Sequence, residues 1–143
     1  MDFKKNFPML NHNIIYLDNC ATTLKPLNVI NEVSDYYKNY SANAHRGDYD
    51  ISRIVDDKLL DVRKKTVEFI NAAKENEIVF TSGATEGLNM IIKGFFKNYL
   101  GTGDVVLTTK AEHASLILPW FDIVKKNGAR IEYIDLEDDL TVT

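Results

Sequence analysis

The sequence predicts an α/β layered domain in which helices lead into a parallel sheet, and three observations carry that prediction. From Glu77 onward, short β-branched runs alternate with helical stripes. Ahead of Glu77, two longer stripes recur at helical spacing with no strand between them. No internal repeat, low-complexity tract or Pro/Ser-rich linker interrupts the 143 residues. Alternation of this kind implies parallel strands joined by helical crossovers, with helices covering the sheet. The expected organisation is an N-terminal arm and helices over residues 1–76, followed by the first part of an α/β unit over 77–143.

Each element has its own reason. Residues 1–23 read as an irregular arm holding the short apolar stretch Ile14-Ile15-Tyr16-Leu17 and ending in the polar cluster Asp18-Asn19-Cys20-Ala21-Thr22-Thr23. Pro26 suits a helix start, and Leu27, Ile30, Val33, Tyr37 and Tyr40 recur on one helical face. Residues 41–47 have no apolar period and read as a loop. After it Ile51, Ile54, Val55, Leu59, Val62, Thr66, Phe69 and Ile70 trace a second stripe. Then follow a strand at Ile78-Val79-Phe80, a helix over 88–99, a strand at Val105-Val106-Leu107, a helix over 116–126 and a strand over 131–134, giving βαβαβ. The pattern stops soon after the third strand, over 136–143, an end that reads as premature for a closed sheet.

Composition excludes several classes of function. Lys plus Arg number 17 against 21 Asp plus Glu, a formal charge of −4, so no global attraction to nucleic acid or anionic lipid is expected. The first ten residues interleave Asp2, Lys4 and Lys5 with apolar residues, which leaves no signal peptide or membrane span there, and a cytoplasmic protein is expected. Cys20 is the only cysteine, so no intrachain disulfide or multi-cysteine metal site can form. The histidines, His12, His45 and His113, lack paired metal-ligand spacing, and no metal is expected.

The segment Thr81-Ser82-Gly83-Ala84-Thr85-Glu86-Gly87 is the most informative. An apolar run passes through small and hydroxyl residues into a helix, where free N–H groups and the helix dipole favour an anion such as phosphate. Gly83 and Ala84 permit close approach, and Thr85 adds a hydroxyl. A second reading makes Ser82 simply an N-cap. The Lys-[Ser/Thr] pair of a nucleotide-binding P-loop is missing. The loop Thr109-Lys110-Ala111-Glu112-His113-Ala114-Ser115 follows the next strand, at the edge where parallel sheets bind ligands, so His113 could offer a ring face or a proton, or serve as a surface or cap residue. His45 and Arg46 read equally as functional groups or solvated loop charges. Cys20 has no cation beside it in sequence to lower its pKa and reads as a small buried residue rather than a nucleophile.

Taken in order, Tyr16-Leu17-Asp18-Asn19-Cys20-Ala21-Thr22-Thr23, Asn43-Ala44-His45-Arg46-Gly47, Phe69-Ile70-Asn71-Ala72, the run from Glu77 to Asn89, and Glu112-His113 through Pro119-Trp120 resemble one family. It is the cysteine desulfurases, in the SufS-like branch of the class V aminotransferase superfamily, and the resemblance is to the amino-terminal half of their large domain. Cys20 stands where the family usually has Ala, and Ala114-Ser115-Leu116 stands in place of His-Ala-Asn.

The resemblance implies part of a fold type I large domain that uses pyridoxal 5′-phosphate to convert L-cysteine to L-alanine, leaving sulfur as an enzyme persulfide for iron–sulfur cluster or thiocofactor synthesis. It implies that Ala84 and Thr85 hold the cofactor phosphate and that His113 lies over the ring and assists proton transfer. It brings Asn19, Ala21, His45 and Arg46 toward the substrate pocket. A homodimer and a sulfur-acceptor protein are further implications. The family's Schiff-base lysine, pyridinium-pairing aspartate, carboxylate-binding arginine and nucleophilic cysteine lie downstream of the matching motifs, so these 143 residues alone are expected to be inactive. A selenocysteine lyase, another aminotransferase of the superfamily and a non-catalytic remnant are the alternatives.

Overall fold

A computed structural model describes residues 3–142. Met1 and Asp2, at the head of the expected arm, and Thr143, at the end of the final segment, lie outside the described residues. The chain divides into two compact units, one up to Ile78 and one from Val79.

In the first unit the arm is less irregular than expected. It carries the 3-10 turns Phe3–Asn6 and Pro8–His12, and the second ends on Asn13 in the left-handed region, φ 53°. Helix α1 spans Leu27–Asn39 with Pro26 at its N-cap in extended conformation, where a residue without an N–H costs nothing. Helix α2 spans Asp50–Ile70 and stops at Asn71, another left-handed residue, a short polar side chain that tolerates this conformation. Leu24, Tyr40, Val55, Ile78 and the fully enclosed Ser52 are buried in this unit, whereas Leu27, Ile30, Val33 and Tyr37 of the α1 stripe remain exposed. A polar contact ties α1 to α2. Glu32 Oε1 accepts from Lys58 Nζ at 2.6 Å and from the Tyr40 hydroxyl, with the ammonium 4.5 Å from the Tyr40 ring centre. The Glu32 hydrogen bond pushes the Lys58 ammonium above its ordinary value, and those from Lys58 and Tyr40 hold the Glu32 carboxyl below its own.

The second unit holds the sheet. Strands β1, Val105–Thr109, and β2, Arg130–Ile134, pair in parallel with Val105 opposite Arg130 and Thr109 opposite Ile134. A parallel pair requires a crossover, which α4, Ala114–Asn127, supplies. Gly128 closes α4 at φ 73°, and an added Cβ there would stand 2.8 Å from Thr102 Oγ1, so glycine is needed both for conformation and for space. Ile92, Pro119, Ile123 and Val124 are buried.

Two expectations are corrected here. The run Ile78-Val79-Phe80 is not a strand of the described sheet, and Val79 and Phe80 are exposed. A β-branched run supplies propensity, but propensity does not by itself place a segment in a sheet, and among the described residues the sheet is made of β1 and β2. The helix expected over 88–99 begins earlier and changes its winding, as α3, Ala84–Asn89, followed by a π turn at Met90–Phe95 and a 3-10 turn at Phe96–Asn98. The architecture is nevertheless α/β, with N-terminal helices preceding a parallel sheet. No described helix is long and apolar enough to cross a membrane. No group of three potential metal ligands gathers among the described residues.

Candidate functional site

The turn that opens α3 is built by Glu86 rather than by Ser82. Gly83 occupies the N-cap position, and no side chain caps the helix. Glu86 reaches back to Ser82, its Oε2 accepting from the main-chain N–H at 2.6 Å and from the hydroxyl at 2.7 Å. These two bonds, the main-chain one first, hold the Glu86 carboxyl below the usual carboxylate range. The reading of Ser82 as N-cap is therefore corrected. A carboxylate in the first turn already complements the dipole there, so the Ser82 hydroxyl turns to it instead of to the helix N–H groups. No side chain closes the start of the helix at Ala84 and Thr85. An added Cβ on Gly83 would meet nothing within 4 Å, so the face of the turn is open.

His113 is held by the start of α4. It is the N-cap residue in extended conformation, and its Nδ1 accepts from the Ser115 main-chain N–H at 3.1 Å, with the Ser115 hydroxyl 2.8 Å away. An Nδ1 that accepts from an amide carries no proton, so the neutral ring bears its proton on Nε2. The imidazole thus replaces the usual oxygen of a helix cap, which fixes both ring and tautomer.

Thr85 and His113 line one cleft of about 480 Å³. Asn89, Lys93, Ser115 and Asp122 complete its polar wall, and Leu118 and Pro119 lie beside them. Thr85, Asn89 and Lys93 stand four residues apart and share a face. That spacing is visible in the sequence, and it is the signal by which Asn89 and Lys93 could have been found. Asn89 Nδ2 donates to the Thr85 carbonyl at 2.8 Å. Asp122 accepts from Lys126 at 2.8 Å. That bond first, then the charges of Lys126, Lys93 and Lys125, hold the Asp122 carboxyl below its ordinary value. An uncapped helix start, a hydroxyl and a lysine along one wall can receive an anion, and the imidazole offers a flat face and an N–H to whatever the anion carries.

The other expected residues belong to the first unit. Tyr16 organises the loop from Asp18 to Thr23: its hydroxyl donates to the Asp18 carbonyl at 3.1 Å and to the Thr22 carbonyl, while Ala21 N–H donates to the Asp18 carbonyl at 3.2 Å. Asn19 lines a small cavity of about 230 Å³ with Tyr16 and Thr23. Cys20 is exposed in this turn, which corrects its reading as a buried residue; the main chain turns back on Asp18 and leaves the side chain outside. His45 and Arg46 are both exposed. His45 takes the left-handed conformation, φ 60°, which costs a non-glycine residue of order 1–2 kcal/mol. Offsetting contacts come from α2. Asp56 Oδ1 accepts from the His45 main-chain N–H at 2.8 Å and lies 3.1 Å from its Nδ1. The buried Ser52 donates to the Asn43 carbonyl at 3.1 Å.

The cleft lined by Thr85 and His113 therefore joins a parallel α/β unit, a helix start open to an anion and a histidine-bearing loop. Comparison with known proteins gives that arrangement a family. The class-V aminotransferase family matches residues 15–143, and the chain belongs to it. A probable cysteine desulfurase of Halalkalibacterium halodurans is 36% identical over 99% of this chain, and one of Synechocystis is 39% identical over 94%. The chain spans 36% and 33% of these two relatives' own lengths. The apo structure of a cysteine desulfurase from Thermococcus onnurineus NA1 superposes with a TM-score of 0.89 at 38% identity, covering 99% of this chain and 34% of that one. The cysteine desulfurase CsdA of Escherichia coli superposes with a TM-score of 0.79 at 29% identity, covering 95% and 34%.

Proposed function

We propose that this chain is the amino-terminal portion of a pyridoxal 5′-phosphate-dependent cysteine desulfurase of the SufS-like branch. The enzyme converts L-cysteine to L-alanine and hands sulfur, as a persulfide, to an acceptor protein for iron–sulfur cluster or thiocofactor synthesis. The observation that carries this reading is that Thr85 and His113, 28 positions apart in sequence, line the same cleft.

The donor set fits a phosphate monoester. Main-chain N–H groups of Ala84 and Thr85, the Thr85 hydroxyl and the positive end of the helix beginning at Ala84 would hold its oxygens. When bound, pyridoxal 5′-phosphate supplies the electron sink that stabilises a carbanion on an amino acid. His113 is ready to donate from Nε2 because Ser115 occupies its other nitrogen, and its ring offers the cofactor an aromatic face. Asn19, Ala21, His45 and Arg46 serve the substrate side. Residues 77–143 form the first half of the cofactor-binding domain and 1–76 its leading helices. The complete enzyme is a cytoplasmic homodimer. The 143 residues by themselves do not turn over cysteine, because the Schiff-base lysine and the nucleophilic cysteine have no counterpart assigned among them.

Protein purified from its own cells tests this directly. It should be yellow and should release alanine from L-cysteine. A colourless, folded protein that takes up no pyridoxal 5′-phosphate and releases no alanine would contradict the proposal.

A further inference from the structure

We infer that Asp56 is a positioning residue, which fixes the His45 imidazole with its proton on Nδ1 and its lone pair on Nε2. This rests on, and deepens, the reading of the 41–47 loop as part of the substrate pocket.

Asp56 lies on α2, eleven residues beyond His45, and one of its carboxylate oxygens meets two atoms of that histidine: the main-chain N–H at 2.8 Å and ring Nδ1 at 3.1 Å. The first contact holds a residue whose φ of 60° is unfavourable for anything but glycine. The second, a close approach of the carboxylate rather than an aligned hydrogen bond, biases the ring. A bare Nδ1 lone pair 3.1 Å from a carboxylate oxygen would be repelled, so the proton of the neutral imidazole resides there and Nε2 becomes the acceptor. The base of the loop is fixed independently. Ser52, with no exposed surface, ties down the Asn43 carbonyl, and Gly47 passes so close to Ser52 that an added Cβ would stand 2.8 Å from its Cβ. The ring itself is exposed, its side chain 75% accessible, so this rigidity serves no core. An acceptor nitrogen on a fixed mount suits a ligand that brings a donor, and an amino acid bearing a thiol brings two, its ammonium and its S–H.

Long-range proton–nitrogen correlation spectra of the protein labelled with 15N-histidine report which ring nitrogen carries the proton. His45 should show Nδ1–H in its neutral form. Asp56→Ala should move it to Nε2–H, whereas Asp56→Asn, whose amide oxygen can still face both the main-chain N–H and Nδ1, should keep it on Nδ1 with the fold intact. His45→Gly, which relaxes the left-handed turn, identifies the signal without removing the loop. An Nε2–H ring in the unmodified protein, or a spectrum unchanged by Asp56→Ala, would overturn the inference. An Nδ1–H ring in a protein that takes up no pyridoxal 5′-phosphate would uphold Asp56 as the residue that sets the ring and overturn the desulfurase reading instead.

Discussion

His45 and His113 are both exposed loop histidines ahead of helices, yet opposite devices hold them. His113 is fixed by its own helix: the amide two residues on, at Ser115, donates to Nδ1, and no distant residue is needed. His45 is fixed by Asp56 on the far side of the loop, together with Ser52 and the close passage at Gly47. The local device leaves the proton on Nε2, and the distant one favours Nδ1. The same side chain therefore becomes a donor in one place and an acceptor in the other, and the neighbour of Nδ1 decides which.

The contrast can be broken most severely at Gly47. Gly47→Ala pushes a methyl against Ser52 and the Tyr49 ring, and urea unfolding should show a loss of about 1–3 kcal/mol, with the Ser115-to-Nδ1 contact of His113 unaffected. Ser52→Ala should cost about 1 kcal/mol by the same measurement, because the Asn43 carbonyl loses its buried donor. At the other histidine, His113→Ala should also cost about 1 kcal/mol by removing a cap, whereas His113→Asn, whose side-chain oxygen can accept from Ser115 N–H, should recover most of that. Unchanged stability in His113→Ala would mean that the helix does not depend on the imidazole.

The smallest effect concerns Glu86. Its folded-state pKa is depressed by the Ser82 bonds, so its contribution is fully present above the unfolded value, about 4.3, and is lost as pH falls through the lower folded value. Amide exchange at Ser82 and Ala84 should accelerate over that acidic window and should lose this pH dependence in Glu86→Gln. Equal exchange in both proteins across the window would contradict Glu86's hold on the Ser82 turn.

This difference between local and distant devices also explains what the sequence revealed. The helix start after Gly83, strands β1 and β2 and helix α4 were legible because residue type and spacing within a few positions determine them. Thr85 and His113 share a cleft because each lies at the start of a helix, α3 and α4, and these helix starts were legible from local residue types. Ile78-Val79-Phe80 was misread because β-branched residues do not reveal whether a partner strand stands beside them. The π turn at Met90–Phe95 leaves no period of its own in six residues. The Asp56 contact joins a loop residue outside any helix to a residue of α2, so no periodicity predicts it and only the folded loop discloses it.

The central claim is that the cleft bearing Thr85 and His113 recognises the phosphate of a ring-bearing cofactor. Equilibrium binding of pyridoxal 5′-phosphate and of pyridoxal, followed by absorbance with the unmodified protein and with Thr85→Val, tests it most directly. The phosphorylated form should bind at least about tenfold more tightly, the equivalent of about 1.4 kcal/mol, and Thr85→Val should narrow that margin. Equal affinity for the two compounds, or a margin indifferent to Thr85, would contradict it.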